Sequence, residues 1–251
     1  MDRSFLKGLA VLEAVALADG RSGVTGIARE LGITKSNAHR LLRSLVASGF
    51  VAHDATDGRY AATLKLWDLG QKVMARVDIR ERAAPYLLRL SEQTQELVNL
   101  VLLDGAHAVF IERIESPPAG RTAGYVGIRA PLHALATGKA MLAYAPEALV
   151  AEACARPQGF TSHTITDPIA LRANLAKVRR QGFATNRGEW RDSVNSIGAA
   201  IFGEQGLPVA AVGLTAPRAR LTVRRVAELA PFVREAAAAI TGCIGGRLPG
   251  S

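Results

Sequence analysis

The sequence predicts an α+β chain of two domains, and three observations lead there. The chain has 251 residues, more than one ordinary domain of ~100–150 residues. Its composition, 49% apolar and 21% charged, is that of a globular protein and excludes a mostly disordered chain. The N-terminal third reads as helix with one hairpin, whereas from Glu96 onward short strands and helices alternate. The boundary falls around residues 76–80, between helices rather than in a Gly/Ser linker.

The first helix is signalled by Phe5, Leu9, Leu12 and Ala16 at helical spacing, with Leu6, Ala10 and Leu17 widening the apolar stripe. Asp19–Gly23 breaks it. Thr25 caps a short helix over Gly26–Leu31, and Gly32 supplies a left-handed turn. Thr34 is an N-cap for a helix from Lys35 to about Ser48, closed by Gly49. Two strand-like pieces, Phe50–His53 and Arg59–Ala62, flank Asp57-Gly58, a hairpin signal. Residues 64–76 and 78–94 read as two more helices.

In the second part, Leu97–Leu103 and Ala108–Ile114 form a hairpin around Asp104-Gly105. Pro117–Gly120 is a loop and Tyr125–Ile128 a further strand. Thr137–Ala145 and Pro168–Gln181 read as helices, the latter stopped by Gly182. Ala199–Phe202 and Val209–Thr215 pair across Gly203–Gly206. Thr222–Gly242 is an alanine-rich helix, and Gly245–Ser251 a frayed tail.

Charge supplies the first functional hint. Lys plus Arg number 31 against 22 Asp plus Glu, a net +9 that leans toward an anionic partner. Between Leu31 and His53 there are Lys35, Arg40 and Arg43 and no acid. Helix, glycine turn, basic helix and hairpin, in that order, outline a winged helix-turn-helix. In its second helix Ala38, Leu41, Leu42 and Leu45 bury one face, leaving Ser36, Asn37, His39, Arg40, Arg43 and Ser44 on the remaining arc. Such a helix fits the major groove of double-stranded DNA, where Asn pairs with adenine and Arg with guanine. Lys35, Ser36 and the helix N-terminus suit phosphates, and Arg59 at the hairpin suits the backbone or a minor groove. The DNA-contacting candidates are thus Thr25, Thr34, Lys35, Ser36, Asn37, His39, Arg40, Arg43 and Arg59. A solvated amphipathic helix of an ordinary bundle is the bland alternative.

Residues 131–140 place small side chains where a helix begins. Free N–H groups there favour an anion and small side chains allow its approach; tight packing against a sheet is the equally simple reading. Val24–Val51, Gly58–Tyr60, Leu64–Gly70, Gly127–Ala140 and Val194–Pro217 together resemble the IclR family of bacterial transcriptional regulators, over nearly the whole chain. The resemblance implies an N-terminal winged helix-turn-helix (1–63), a linker helix (64–77) and a C-terminal GAF-like α/β effector-binding and oligomerisation domain (78–251). It also implies a homodimer or homotetramer, and a small organic acid, aromatic in one version, as effector.

Carried over residue by residue, the resemblance assigns the acid's carboxylate to the backbones of Ala136 and Thr137. Asn186 falls where the family often has an acidic residue, and Ser196 where it often has cysteine. Gly213 replaces a commonly polar serine and is expected to enlarge the pocket, while Thr215 keeps a hydroxyl. Gly188 interrupts a common acidic pair and leaves Glu189 alone. Trp190 is a lid, a packing residue or an effector contact. Leu64, Leu66, Trp67, Leu69, Val73 and Met74 are candidates for packing between protomers or on the winged helix.

Other chemistries find no support. Cys154 and Cys243 are too few for a disulfide framework or a four-cysteine zinc site, and are expected to be buried hydrophobes in alanine-rich helices. The five histidines lack metal-ligand spacing, and His163 and Asp167 sit in a loop. No Gly-x-Ser-x-Gly elbow, P-loop or carboxylate pair is legible, so neither catalysis, metal nor cofactor is expected. The longest apolar runs are of strand length, short of the ~18–20 residues of a membrane span, and no secretory segment opens the chain. A cytoplasmic protein in a reducing compartment, off the membrane, is the expectation. The rivals are an enzyme with a DNA-binding appendage and a non-specific nucleoid-type binder.

Overall fold

The computed structural model describes residues 2–18, 20, 22–74, 78–115 and 126–249, with only the backbone of residues 71, 73 and 74. Two compact units result, Met1–Val77 and Asp78–Ser251.

The first unit runs α1 (Arg3–Leu17), β1 (Ser22–Gly23), α2 (Val24–Glu30), α3 (Lys35–Ala47), β2 (Val51–His53), β3 (Arg59–Ala62) and α4 (Leu64–Met74). Asp2 caps α1 by accepting from the N–H groups of Ser4 and Phe5. Val11, Val15, Ile27, Leu41, Leu42, Val51 and Tyr60 make the core. The turn between α2 and α3 needs Gly32 at φ +61°, and the α3 exit needs Gly49 at φ +76°. The antiparallel sheet has the order β1-β3-β2, so the stretch expected only to break the first helix also contributes an edge strand.

One expectation fails here. Thr25 is no cap: Gly23 holds that position, no side chain caps α2, and Thr25 lies exposed inside the helix. The helix starts two residues early because Val24 follows directly from β1. The apolar stripe of α1 is not its core face. Val11, Ala14 and Val15 are buried, while Phe5, Leu6, Leu9 and Leu17 stay exposed.

The second unit runs α5 (Ile79–Thr94), β4 (Leu97–Asp104), β5 (His107–Ile114), β6 (Arg129–Pro131), α6 (Ala136–Leu142), α7 (Glu147–Ala155), α8 (Pro168–Gln181), β7 (Ala184–Arg187), β8 (Val194–Phe202), β9 (Pro208–Pro217) and α9 (Val223–Cys243). Its six-stranded antiparallel sheet has the order β6-β5-β4-β9-β8-β7. Helices α5 and α9 pack together against strands β4 and β8, while α6 and α8 join the core formed with Val101, Ala200 and Ala211. The strand expected at Tyr125–Ile128 is displaced: Val126-Gly127 turns, the strand is β6, and Tyr125 lies outside the described residues, as does the Pro117–Gly120 loop. Helix α6 ends at Leu142 rather than Ala145, and a turn leads into α7, which the sequence pattern did not announce.

Expected tail residues are anchored. Gly246 N–H donates to Thr241 O and Arg247 N–H to Gly203 O. A Cβ at Gly246 would lie 1.8 Å from Phe202 O, so the glycine is required by packing rather than by fraying. Cys154 is buried and Cys243 half-buried, and burial raises both thiol pKa values.

Candidate DNA-reading surface and effector cavity

Helix α3 is built for presentation. Thr34 caps it, its Oγ1 accepting from Asn37 N–H at 3.3 Å and lying 3.3 Å from Ser36 Oγ. Ala38, Leu41 and Leu42 hold the inner face. Lys35, Ser36, His39, Arg40 and Arg43 are exposed, Asn37 is half-buried, and no acid occurs in the helix. Arg40 Nη2 donates to Asn37 Oδ1 and to Ser4 Oγ on α1, each at 3.1 Å. The two expected base readers are thus linked one turn apart and tied to the neighbouring helix.

At the hairpin tip the Asp54 carboxylate accepts from the N–H and hydroxyl of Thr56, and that of Asp57 accepts from Arg59 N–H. Those acids organise the turn, which needs Gly58 at φ +66°, and Arg59 leaves it exposed.

The second unit holds a cavity with about 730 Å³ of empty space, the open solvent at its mouth included. Strand register explains what faces it. Asn99 on β4 lies opposite Arg113 on β5 and Gly213 on β9, Leu97 lies opposite Thr215, and Thr215 lies opposite Ser196, which pairs with Asn186. Because side chains alternate across a sheet, Arg113, Asn99, Thr215, Ser196 and Asn186 form a polar stripe on one face. Phe110, Ile128, Leu135, Trp190 and Val194 supply apolar walls. Ala136, Thr137, Asn186, Ser196, Gly213 and Thr215, the six positions carried over by resemblance, all line this one cavity.

Their roles differ from expectation in places. Asn186 donates its amide to Ala134 O and accepts from Glu189 N–H at 2.9 Å, both backbone groups. Gly213 does not leave empty space, because a Cβ there would meet Thr137 Cγ2 and Ile197 O at 2.7 Å. Small residues at the α6 start serve packing as well. A Cβ on Gly138 would lie 2.1 Å from Leu132 O, and one on Gly198 would lie 2.6 Å from Thr137 N. Thr215 Oγ1 accepts from Asn99 Nδ2 at 3.0 Å. Trp190 stacks near Phe110 at 6.4 Å and 17°, with the Arg191 guanidinium 4.7 Å over its ring.

Glu189, without a second acid at Gly188, has a cationic partner instead. Its carboxylate accepts two bonds from Lys139 Nζ, at 2.6 and 2.5 Å, with both side chains buried. Burial lowers the Lys139 pKa, and the Glu189 charge opposes that shift.

Sequence reasoning missed Asn99, Phe110, Arg113, Arg191 and the partner of Glu189. Asn99 had a signal, as the lone polar residue in the apolar run Leu97–Leu103. Arg113 and Arg191 had none, because nothing local distinguishes a pocket arginine from a surface one. The Arg113 side chain is only 13% exposed, with Nε bonded to the exposed Glu115 at 3.0 Å. Asp167 caps α8, while His163 lies 3.0 Å from Arg218. Among the described residues no cluster of three or more metal-ligating side chains occurs, and no helix is long and apolar enough to cross a membrane.

A basic winged helix and an α/β unit with an internal cavity, in one chain, define a transcriptional regulator with a ligand-binding domain. Residues 4–55 match the IclR helix-turn-helix domain, and residues 71–242 match the bacterial transcriptional regulator IclR C-terminal family; the chain belongs to the IclR family. The glycerol operon regulatory protein of Streptomyces coelicolor is 32% identical, covering 96% of this chain and 93% of that protein. The transcriptional regulator XynR of Escherichia coli is 30% identical, over 88% of this chain and 89% of its own. These relatives are named as regulators rather than enzymes. The Thermotoga maritima IclR structure is similar at TM-score 0.75 and 29% identity, covering 96% and 98% of the two chains. An IclR homolog from Microbacterium hydrocarbonoxydans, complexed with 4-hydroxybenzoate, reaches TM-score 0.80 at 26% identity, covering 96% and 98%.

Proposed function

We propose that this regulator senses a small organic acid with an apolar, aromatic body and acts as a cytoplasmic homo-oligomer on a double-stranded DNA operator. The single observation that carries the acid is the cavity lining. It includes two guanidinium groups, Arg113 and Arg191, and no Asp or Glu among the described residues. Arg113 Nε pairs with Glu115, which lies outside the lining; the lining itself carries positive charge, which favours an anion. Phe110, Trp190, Leu135 and Ile128 suit its carbon body. Ala136 and Thr137 add backbone donors, and Ser196 and Thr215 add hydroxyls. The related structure holding 4-hydroxybenzoate supports the same ligand class.

On the DNA side, Asn37, His39, Arg40 and Arg43 read base edges, while Thr25, Thr34, Lys35, Ser36 and Arg59 serve phosphates or position the helix. Residues 1–63 form the DNA-binding domain, 64–77 the linker and 78–251 the effector domain. Exposed Phe5, Leu6 and Leu9 on α1, with Leu64, Trp67 and Leu69 on α4, are the apolar surface that a second copy would cover. Effector binding regulates DNA affinity to the extent that the acid prefers one state over the other.

Calorimetric titration of the full chain with benzoate, 4-hydroxybenzoate and their carboxamides tests the ligand class. Much tighter binding of an acid than of its amide is expected. Tighter binding of the neutral amides would refute the anion-seeking cavity.

A further inference from the structure

Neither Lys139 nor Glu189 lines the cavity, yet the pair stands between the two segments that form much of it. Lys139 follows Leu135, Ala136 and Thr137 on α6, while Glu189 sits between Asn186 and Trp190-Arg191 in the turn from β7 to β8. Lys139 is wholly buried and Glu189 is 6% exposed.

The turn is held by a set of bonds centred on Glu189. Its N–H donates to Asn186 Oδ1, and its carbonyl accepts from Thr164 Oγ1. Thr161 Oγ1 donates to Gly188 O at 2.6 Å. Gly188, at φ +74°, has Asp192 O 3.0 Å from where a Cβ would stand, so a side chain there would crowd the turn. Asn186 closes the circuit by donating to Ala134 O, just before α6.

We infer that Lys139 and Glu189 are positioning residues, an internal tie that fixes the Trp190–Arg191 wall against the α6 wall and thereby sets the width and selectivity of the cavity. The physical reason is desolvation. A buried carboxylate tolerates its site only with its cation present, so the ammonium holds Glu189 inward, and the backbone of Glu189 carries Trp190 with it. Removing Lys139 leaves that carboxylate to seek water, and the turn follows. A purely structural pair would add stability without deciding where Trp190 sits.

The test needs no knowledge of the effector, so its failure would leave the acid-sensing reading standing. The chain has two tryptophans, Trp67 and Trp190; Trp67→Phe isolates the emission of Trp190. In that background Lys139→Met is expected to red-shift the emission and raise its acrylamide quenching constant by about 2-fold or more, as a locally opened wall becomes wet. Glu189→Gln, which keeps a hydrogen-bond acceptor, is expected to change both less. If Lys139→Met does not fold, Lys139→Met with Glu189→Met decides. Apolar replacement of both partners commonly preserves folding but removes the two bonds that tie the turn to α6, so Trp190 should become more quenchable, by less than in Lys139→Met, at little loss of melting temperature. A folded variant lacking the pair, with Trp190 emission and quenching equal to the parent, would overturn the inference.

Discussion

On α3 the candidate contacts come from one capped helix, and every side chain is set by a 3.6-residue period. The cavity draws instead on β4, β5, β7, β8, β9, the start of α6 and the turn after β7. Apart from Arg40, bonded to Asn37 and Ser4, the side chains of this helix surface can be changed one at a time. The cavity cannot, because its glycines fill contacts made by residues far away in sequence. Substitutions are therefore expected to act locally on DNA reading and globally on the effector unit.

The largest expected effect lies on the cavity side. Gly138→Ala and Gly198→Val force a Cβ into Leu132 O and the Thr137 backbone, and should destabilise the second unit by at least about 3 kcal/mol or prevent its folding. Thermal unfolding measures this; a melting temperature unchanged by either would show that the α6–sheet contact is softer than its geometry.

Next is Arg113→Met. It should weaken the acid by about 1.5–3 kcal/mol, the value of a charge-assisted bond, with carboxamide affinity nearly unchanged in calorimetry. Equal loss for acid and amide would reassign Arg113 to the cavity's shape.

On the helix side, Arg40→Ala or Asn37→Ala should lower discrimination by about 1–3 kcal/mol at one base pair, whereas Lys35→Ala should weaken all duplexes alike and reduce the salt slope by about one. Competition binding on single-base operator variants separates these. Because Arg40 and Asn37 share a bond, their effects should not add; simple additivity would mean that the pair opens on DNA.

The smallest effect is Thr34→Ala. Loss of an N-cap costs about 0.5–2 kcal/mol, and the 3.3 Å bond places this one toward the lower end, readable by denaturant titration.

The same contrast explains what the sequence made legible. Gly32, Gly49, Gly58 and Gly182 announce positive φ, and all four have it; the α3 face follows period, and the β4–β5 and β8–β9 pairings follow the turn residues Asp104-Gly105 and Gly203–Gly206. Period cannot tell a core face from an exposed one, and α1 shows it: Phe5, Leu6 and Leu9 look like core but face outward in this unit, while Val11 and Val15 are buried. Of the six cavity positions, Ala136 and Thr137 fall in a helix start whose small residues already hinted at an anion, whereas Asn186, Ser196, Gly213 and Thr215 were reachable only through resemblance, because strands distant in sequence bring them together. Arg113, Arg191 and the Lys139–Glu189 pair needed coordinates. Burial turns an ordinary arginine or lysine into a site feature, and burial of single charged residues is not written in local pattern.

The most direct test of the account is fluorescence anisotropy of the full chain on intergenic DNA beside its own gene, against a scrambled duplex of equal length, at physiological salt, with and without the acid that calorimetry identifies. A preference of about 10³-fold or more for the native duplex, shifted by the acid but not by its amide, is the predicted result. Equal affinity for both duplexes, untouched by any acid the cavity binds, would contradict it.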